Sequence, residues 1–141
     1  MKTLTIDMVR DLHQIIRKAI DGENQKPKAL KNLTQMQIML YLVNNEDKTI
    51  YQKDIGEALK LKKSSITEHL DYLESVGEIE RVQDENDKRK NSIRLSEKAR
   101  IKKEELNVTL NSLNEKAIKG ISKEDLECFE KVIKNMEENL K

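Results

Sequence analysis

Aromatic residues are scarce in this 141-residue chain: three Tyr, one Phe and no Trp. Any core must therefore be built from Leu, Ile, Val and Met. A single cysteine, Cys128, excludes an intramolecular disulfide, and the reducing cytoplasm is the expected compartment. No signal-type run is expected, because Asp7 and Arg10 interrupt the first apolar pattern. No apolar stretch approaches the length of a membrane span, so a membrane is not an expected partner. Two histidines and one distant cysteine show no metal-ligand spacing. There is no Gly-rich phosphate loop, nucleophile elbow or His-Glu-x-x-His pattern. The many carboxylates lie at helical spacing on polar faces, which leaves catalytic pairing unsupported. Neither an enzyme, a metal nor a cofactor is expected. An excess of one charge is missing too, since 27 Lys and Arg face 26 Asp and Glu for a formal net charge of +1. That total argues neither for nor against nucleic acid, because local distribution decides.

Charge itself is plentiful, at 38% of residues and mostly Lys and Glu. Such a chain makes helices with wide solvated faces if its apolar residues recur periodically, and stays disordered if they do not. They recur. Leu4, Met8, Leu12, Ile15, Ile16 and Ala19 lie at helical spacing, up to "DGENQKPK", where Gly22 and Pro27 punctuate. Thr34-Gln35-Met36-Gln37 reads as a capping box opening a second helix through Met36, Leu40 and Val43. Thr49-Ile50-Tyr51-Gln52 reads as another, ahead of a short helix "QKDIGEALK". Ser65-Ile66-Thr67-Glu68 reads as a third, with Ile66, Leu70 and Leu73 lining one helical face up to Gly77.

"GEIERV" and "NSIRL" flank a polar loop and read as a hairpin. Alternation is clean in the second strand, with Ile93 and Leu95 on one side. It is poorer in the first, where only Ile79 and Val82 are apolar. One long helix is then expected from about Ser96 to Lys119, with Ile101, Leu106, Leu110, Leu113 and Ala117 as its stripe. Gly120 ends it. Ser122 caps a final helix carrying Leu126, Phe129, Ile133, Met136 and Leu140. The expected fold class is mainly α (α+β), with a small β-hairpin. Residues 33–96 form the middle block. Residues 1–32 and 97–141 are helical, and their apolar stripes find no partner in so small a block. They can cover each other or a second copy of the chain, making one intertwined dimerisation region.

Two short helices joined by a tight turn, Gln52–Lys60 and about Ser64–Ser75, make a helix-turn-helix. In that motif the start of the second helix reaches base edges in the major groove. Lys63, Ser64, Ser65, Thr67 and Glu68 stand there, and Lys62 and Lys63 suit phosphates, as does the helix N-terminus. The same "KLKKSS" also reads as an ordinary solvated loop.

The hairpin that follows converts the motif into a winged helix. Its tip, "DENDKRK", carries Lys88, Arg89 and Lys90, with Asp87 two residues before Arg89. A carboxylate so placed can hold the guanidinium in one orientation, and arginine suits a narrow minor groove. Asp84 and Glu85 would repel phosphate and are expected on the side facing away from DNA. Taken alone, the tip also reads as a charged surface hairpin.

Residues from about 33 to 100 resemble the DNA-binding region of MarR-type transcriptional regulators. The resemblance rests on Leu73-Glu74-Ser75-Val76-Gly77, on Asp87-Lys88-Arg89 and on Leu95-Ser96-Glu97-Lys98-Ala99, all at the family's spacing. It covers about half the chain. It implies a homodimer on a pseudo-palindromic operator in double-stranded DNA, usually a repressor released by a small anionic or aromatic effector. It also implies a wing-tip role for Arg89, an orienting role for Asp87 and base or backbone contacts from Lys63, Ser64, Ser65 and Thr67. His13 and Arg17, one turn apart on the first helix, are candidates for an effector cleft, though they read equally as a surface pair.

Four residues depart from the family pattern. Ala99 replaces a glycine. Glu78 replaces an apolar residue, which should leave the start of the first strand less anchored. Glu68 stands where a base is common, so operator preference should differ. His69 takes an apolar place and is expected to pack against a neighbouring helix. Cys128 is expected to be inert, without the N-terminal cysteine of peroxide-sensing relatives. The alternative function is a winged-helix protein–protein interaction module with no specific DNA site, favoured by the low net charge and Glu68.

Overall fold

The computed structural model describes residues 5–22 and 32–141. Leu4 of the first apolar stripe and Pro27 lie outside the described residues. Among the described residues, seven helices and three strands follow one another: α1 (Thr5–Asp21), α2 (Leu33–Asn44), β1 (Ile50–Tyr51), α3 (Gln52–Leu59), α4 (Lys63–Ser75), β2 (Ile79–Gln83), β3 (Asn91–Leu95), α5 (Glu97–Ile101), α6 (Lys103–Ile118) and α7 (Lys123–Asn139). The chain clusters into two compact units, one reaching Leu110 and the other Asn111–Lys141. No helix among the described residues is long and apolar enough to cross a membrane.

The first unit is built around α2, which is apolar on nearly every side and correspondingly buried at Met36, Ile38, Met39 and Leu42. Ile55 of α3, Ile66, Leu70 and Leu73 of α4, and Ile79, Ile93 and Leu95 of the hairpin join it. Each such side chain contributes about 1.5–3 kcal/mol of burial. Gly56 permits the tight α3–α4 approach: a Cβ there would lie 2.6 Å from Ile66 Cδ1. The aliphatic core expected from the shortage of aromatics is present.

All three expected capping boxes are displaced. At α2 the cap is Asn32, whose Oδ1 accepts from Gln35 N–H at 2.9 Å, so Thr34 lies inside the helix. At α3 the cap is Tyr51, whose N–H donates to Asp54 Oδ2 at 2.8 Å. Thr49 is excluded because Ile50 and Tyr51 are extended, forming β1 against Ile93 and Ser92 of β3. At α4 the cap is Lys62, three residues before Ser65 of the expected box and without a side-chain cap. Ser122 does cap α7, accepting from Asp125 N–H at 3.0 Å.

The hairpin is present, in a three-stranded antiparallel sheet of order β1-β3-β2. β1, two residues long, is too short to leave a periodic signal. The single helix expected from Ser96 is divided at Lys102, whose N–H donates to Ala99 C=O at 3.1 Å in a tightened turn. Neither Pro nor Gly marks that break. Ile101, expected on the apolar stripe, is exposed there, while Leu106 and Thr109 of α6 are buried.

Candidate nucleic-acid interface

The start of α4 is placed by the turn before it. Lys60 adopts the left-handed conformation (φ 55°), and Leu61 N–H donates to Gly56 C=O at 3.0 Å. The chain then enters α4 through extended Lys62. Lys62, Lys63, Ser64 and Glu68 are exposed, and Ser65 and Thr67 are half-buried. The Thr67 hydroxyl donates to Lys63 C=O at 2.9 Å and accepts from Gln52 Nε2 at 2.8 Å. It thus locks α4 to the first residue of α3. His69 is half-buried, as expected of a packing residue.

The far end of α4 anchors the hairpin. Gly77 is left-handed (φ 78°). Glu78 N–H donates to Leu73 C=O at 2.9 Å and Gly77 N–H to Glu74 C=O at 3.0 Å, a Schellman closure. Lys98 Nζ donates to Val76 C=O at 3.0 Å, and Ser96 Oγ donates to Gly77 C=O at 2.6 Å. Glu78, expected to weaken this junction, is only 6% exposed. Its carboxylate lies 3.5 Å from Lys98 Nζ, and its C=O accepts from Ser96 N–H at 3.0 Å. The junction is therefore tied by charge and backbone rather than by an apolar contact.

Arg81 explains the poor alternation of β2. It pairs with Ile93 on the core side of the sheet, yet is 20% exposed at its side chain. Its Nη1 donates to Asp71 Oδ1 at 2.8 Å and Glu74 Oε1 at 3.1 Å on α4. An ion-paired arginine occupies the place an apolar side chain would take, and its stem covers the sheet.

The wing tip is organised by two aspartates. Asp84 Oδ1 accepts from the N–H groups of Asn86 at 2.7 Å and Asp87 at 3.2 Å, and its Oδ2 accepts from the Tyr51 hydroxyl at 2.8 Å. Asp87 Oδ1 accepts from Arg89 N–H at 3.0 Å and Nε at 3.1 Å. The guanidinium is held from behind yet 91% exposed. Asp84 faces Tyr51, while Glu85 is exposed. Lys88 is exposed, and its C=O accepts from Gln83 Nε2 at 3.0 Å. Lys90 Nζ stands 5.8 Å from the Tyr51 ring centre, within cation–π range.

These contacts shift three protonation equilibria. The Tyr51 hydroxyl, then the N–H groups of Asn86 and Asp87, hold Asp84 below the usual carboxylate range. The Arg89 side chain, then its N–H, does the same for Asp87. The Asp84 carboxylate raises the Tyr51 phenol.

An open groove of ≈ 710 Å³ is lined by Gln52 and Lys53 of α3, Lys63 of α4, and Arg89, Lys90 and Asn91 of the wing. Asp54 and Glu57 supply acids on its wall. The structure thus brings Lys63, Arg89 and Lys90 to one concave surface. Tyr51, Gln52 and Arg81, which hold this surface in shape, escaped the sequence reading because these contacts join different elements across 7 to 33 residues. His13 and Arg17 are exposed on α1, and Cys128 is exposed on α7. No group of three or more His, Cys, Asp or Glu among the described residues could hold a metal ion.

A sequence model of the MarR family matches residues 32–90. Three solved structures share the fold. The MepR–DNA complex of S. aureus overlays with a TM-score of 0.85 at 19% identity, covering 98% of this chain and 99% of that one. The PcaV transcriptional regulator of Streptomyces coelicolor, solved with its natural ligand, overlays with a TM-score of 0.81 at 19% identity, covering 99% and 95%. The heme sensor PefR of Streptococcus agalactiae, solved with heme, gives a TM-score of 0.68 at 22% identity, covering 99% and 95%.

Proposed function

We propose that this chain, which its residues 32–90 place in the MarR family, is a sequence-specific regulator that binds double-stranded DNA as a homodimer, in the manner of a repressor on a pseudo-palindromic operator. The carrying observation is the shared concave surface of Lys63, Arg89 and Lys90, with the Arg89 guanidinium braced by Asp87 and turned to solvent. Bracing lowers the ordering cost of placing an arginine in a minor groove. In this reading the first turns of the two α4 helices enter successive major grooves about 34 Å apart. Lys62, Lys63, Lys88 and Lys90 meet phosphates, and Ser64, Ser65 and Glu68 meet base edges. Thr67 offers mainly its methyl group, since its hydroxyl is engaged on both sides. No catalysis is required, in keeping with regulators of this family.

The dimer reading is supported by apolar side chains that α1 and α7 leave uncovered. Ile6, Met8, Val9 and Ile15 of α1 and Phe129, Val132 and Ile133 of α7 are exposed, and α7 buries none of its residues. Burial of such stripes in a symmetric pair is the ordinary outlet. The dimerisation region would comprise residues 1–32 and 97–141. A small effector, anionic or aromatic, would shift the population between DNA-competent and incompetent forms, with His13 and Arg17 as candidate contacts. The ligand-bound PcaV and PefR structures support the expectation of an effector.

The test is a titration against duplex DNA from upstream of the gene itself, over several salt concentrations and with random DNA as competitor. Competitor-resistant, steeply salt-dependent binding is expected. Salt-insensitive or absent DNA binding would favour the second reading, a protein-interaction module, to which the exposed Glu68 on α4 would be better suited.

A further inference from the structure

The sheet register aligns Tyr51 on β1 with Ser92 on β3 and Val82 on β2. Side chains alternate along a strand, so these three share the face opposite the buried Ile93. Asp84 lies two residues past Val82, one step nearer the tip on the same side. Ser92 is small, and the Tyr51 ring reaches past it to place its hydroxyl 2.8 Å from Asp84 Oδ2. Lys90 approaches the same ring. Asp84 and Lys90 are the two ends of the tip loop, joined by Asp84 N–H to Lys90 C=O at 2.9 Å. One aromatic side chain therefore grips both feet of the loop that carries Arg89.

The grip is relayed to the guanidinium. Asp84 uses one carboxylate oxygen for Tyr51 and the other for the Asn86 and Asp87 N–H groups. Asp87 then orients Arg89. At its other end, Tyr51 begins α3 through the bond from its N–H to Asp54, and the next residue, Gln52, is bonded to Thr67 of α4. Consecutive residues thus tie the wing tip and the helix that reads the major groove to one point.

We infer that Tyr51 is a positioning residue for the wing: its hydroxyl, through Asp84, sets where Arg89 stands relative to the start of α4. The inference rests on the DNA-binding reading for its consequence, and on the wing alone for its mechanism. Removing the hydroxyl leaves every DNA-facing group in place but unties the tip, so Arg89 must be ordered anew on each binding event.

The experiment has two arms. In the first, amide nitrogen relaxation is recorded without DNA on wild type, Tyr51→Phe, Asp84→Ala and Asp84→Asn. Tyr51→Phe should raise mobility at Asn86–Lys90 and leave α2 and α4 unchanged. Asp84→Ala should do the same, whereas Asp84→Asn, which keeps one acceptor oxygen for the Asn86 and Asp87 N–H groups and can turn its NH2 to donate to the Tyr51 oxygen, should loosen the tip less than Asp84→Ala. An equally rigid tip in Tyr51→Phe overturns the inference. In the second, affinity for duplex DNA from upstream of the gene is measured for Tyr51→Phe, Arg89→Ala and the double variant. Tyr51→Phe alone should weaken binding about fivefold, the scale of one hydrogen bond. In the Arg89→Ala background it should have almost no further effect. Equal losses in both backgrounds would show that Tyr51 does not act through Arg89 and would overturn the inference. Wild type that binds no DNA would instead sink the regulator reading, while the first arm still decides the positioning role.

Discussion

Gln52 Nε2 donates to Thr67 Oγ1 at 2.8 Å, fastening the first residue of α3 to α4 across 15 residues of sequence. The Thr67 hydroxyl in turn donates a hydrogen bond to the Lys63 carbonyl at 2.9 Å. The angle at which α4 is presented thus depends on a side chain that the helix itself does not contain. Replacing Gln52 by Leu should lower stability by about 1 kcal/mol. Urea unfolding measures this, and an unchanged midpoint would show that the bond contributes nothing.

Arg89 is exposed, so its loss should cost DNA affinity and not stability. Arg89→Ala is expected to reduce the salt dependence of binding by about one phosphate equivalent. The slope of log affinity against log salt reports it directly. If slope and affinity match wild type, the wing tip has no part in binding.

Gly77 holds a left-handed conformation at the end of α4 (φ 78°), with space around its Cα. The obstacle to a side chain is conformational rather than steric crowding, since a Cβ would meet only Lys98 Nζ at 3.7 Å. Gly77→Ala should therefore destabilise by about 1–2 kcal/mol. Thermal unfolding is the check. A melting temperature equal to wild type would contradict the strain.

The wing has a defined pH window. Asp84 and Asp87 have depressed folded pKa values, so their contribution is present above the unfolded value and is lost as pH falls through the folded one. Tyr51 is raised, so its contribution is present below the ordinary phenol value and is lost as pH rises through the raised one. The tip should keep its geometry across neutral pH and loosen only in acid below the usual carboxylate range, or in strong alkali. Carboxyl-carbon resonances followed through an acid titration would show both aspartates titrating below a free aspartate side chain. Midpoints at the free value would refute the assignment.

Ile133 lies on the apolar face of α7 and is 49% exposed. An aspartate there should split the proposed homodimer without unfolding the chain. Sedimentation reports the assembly and circular dichroism the fold. A variant that still sediments as a dimer would move the interface elsewhere.

The order of the elements was legible in the sequence because it rests on local rules. Apolar spacing marked the helices, Ile93 and Leu95 marked the inner face of β3, and Gly77 and Gly120 marked helix ends through their left-handed backbone. The Asp87–Arg89 pair was legible too, since two residues within one turn can meet without help from the rest of the fold. The capping residues were not. Ser or Thr three residues before Glu or Gln recurs often in a chain this rich in polar residues. Which candidate caps a helix depends on where the chain leaves the preceding element. Pairing of β1 with β3 moved the cap of α3 to Tyr51, and the left-handed turn at Lys60 moved that of α4 to Lys62.

Tertiary structure alone decided the supports of the interface. Tyr51 on Asp84, Gln52 on Thr67, Arg81 on Asp71 and Glu74, and Lys98 beside buried Glu78 all join segments distant in sequence. Each is a polar contact whose two halves look like ordinary surface residues when read singly. Sequence by itself determined which groups are candidates to face DNA. The packing of α3, α4 and the sheet decided how firmly each is held, because a hydrogen bond between distant residues exists only once the core has brought its two ends together.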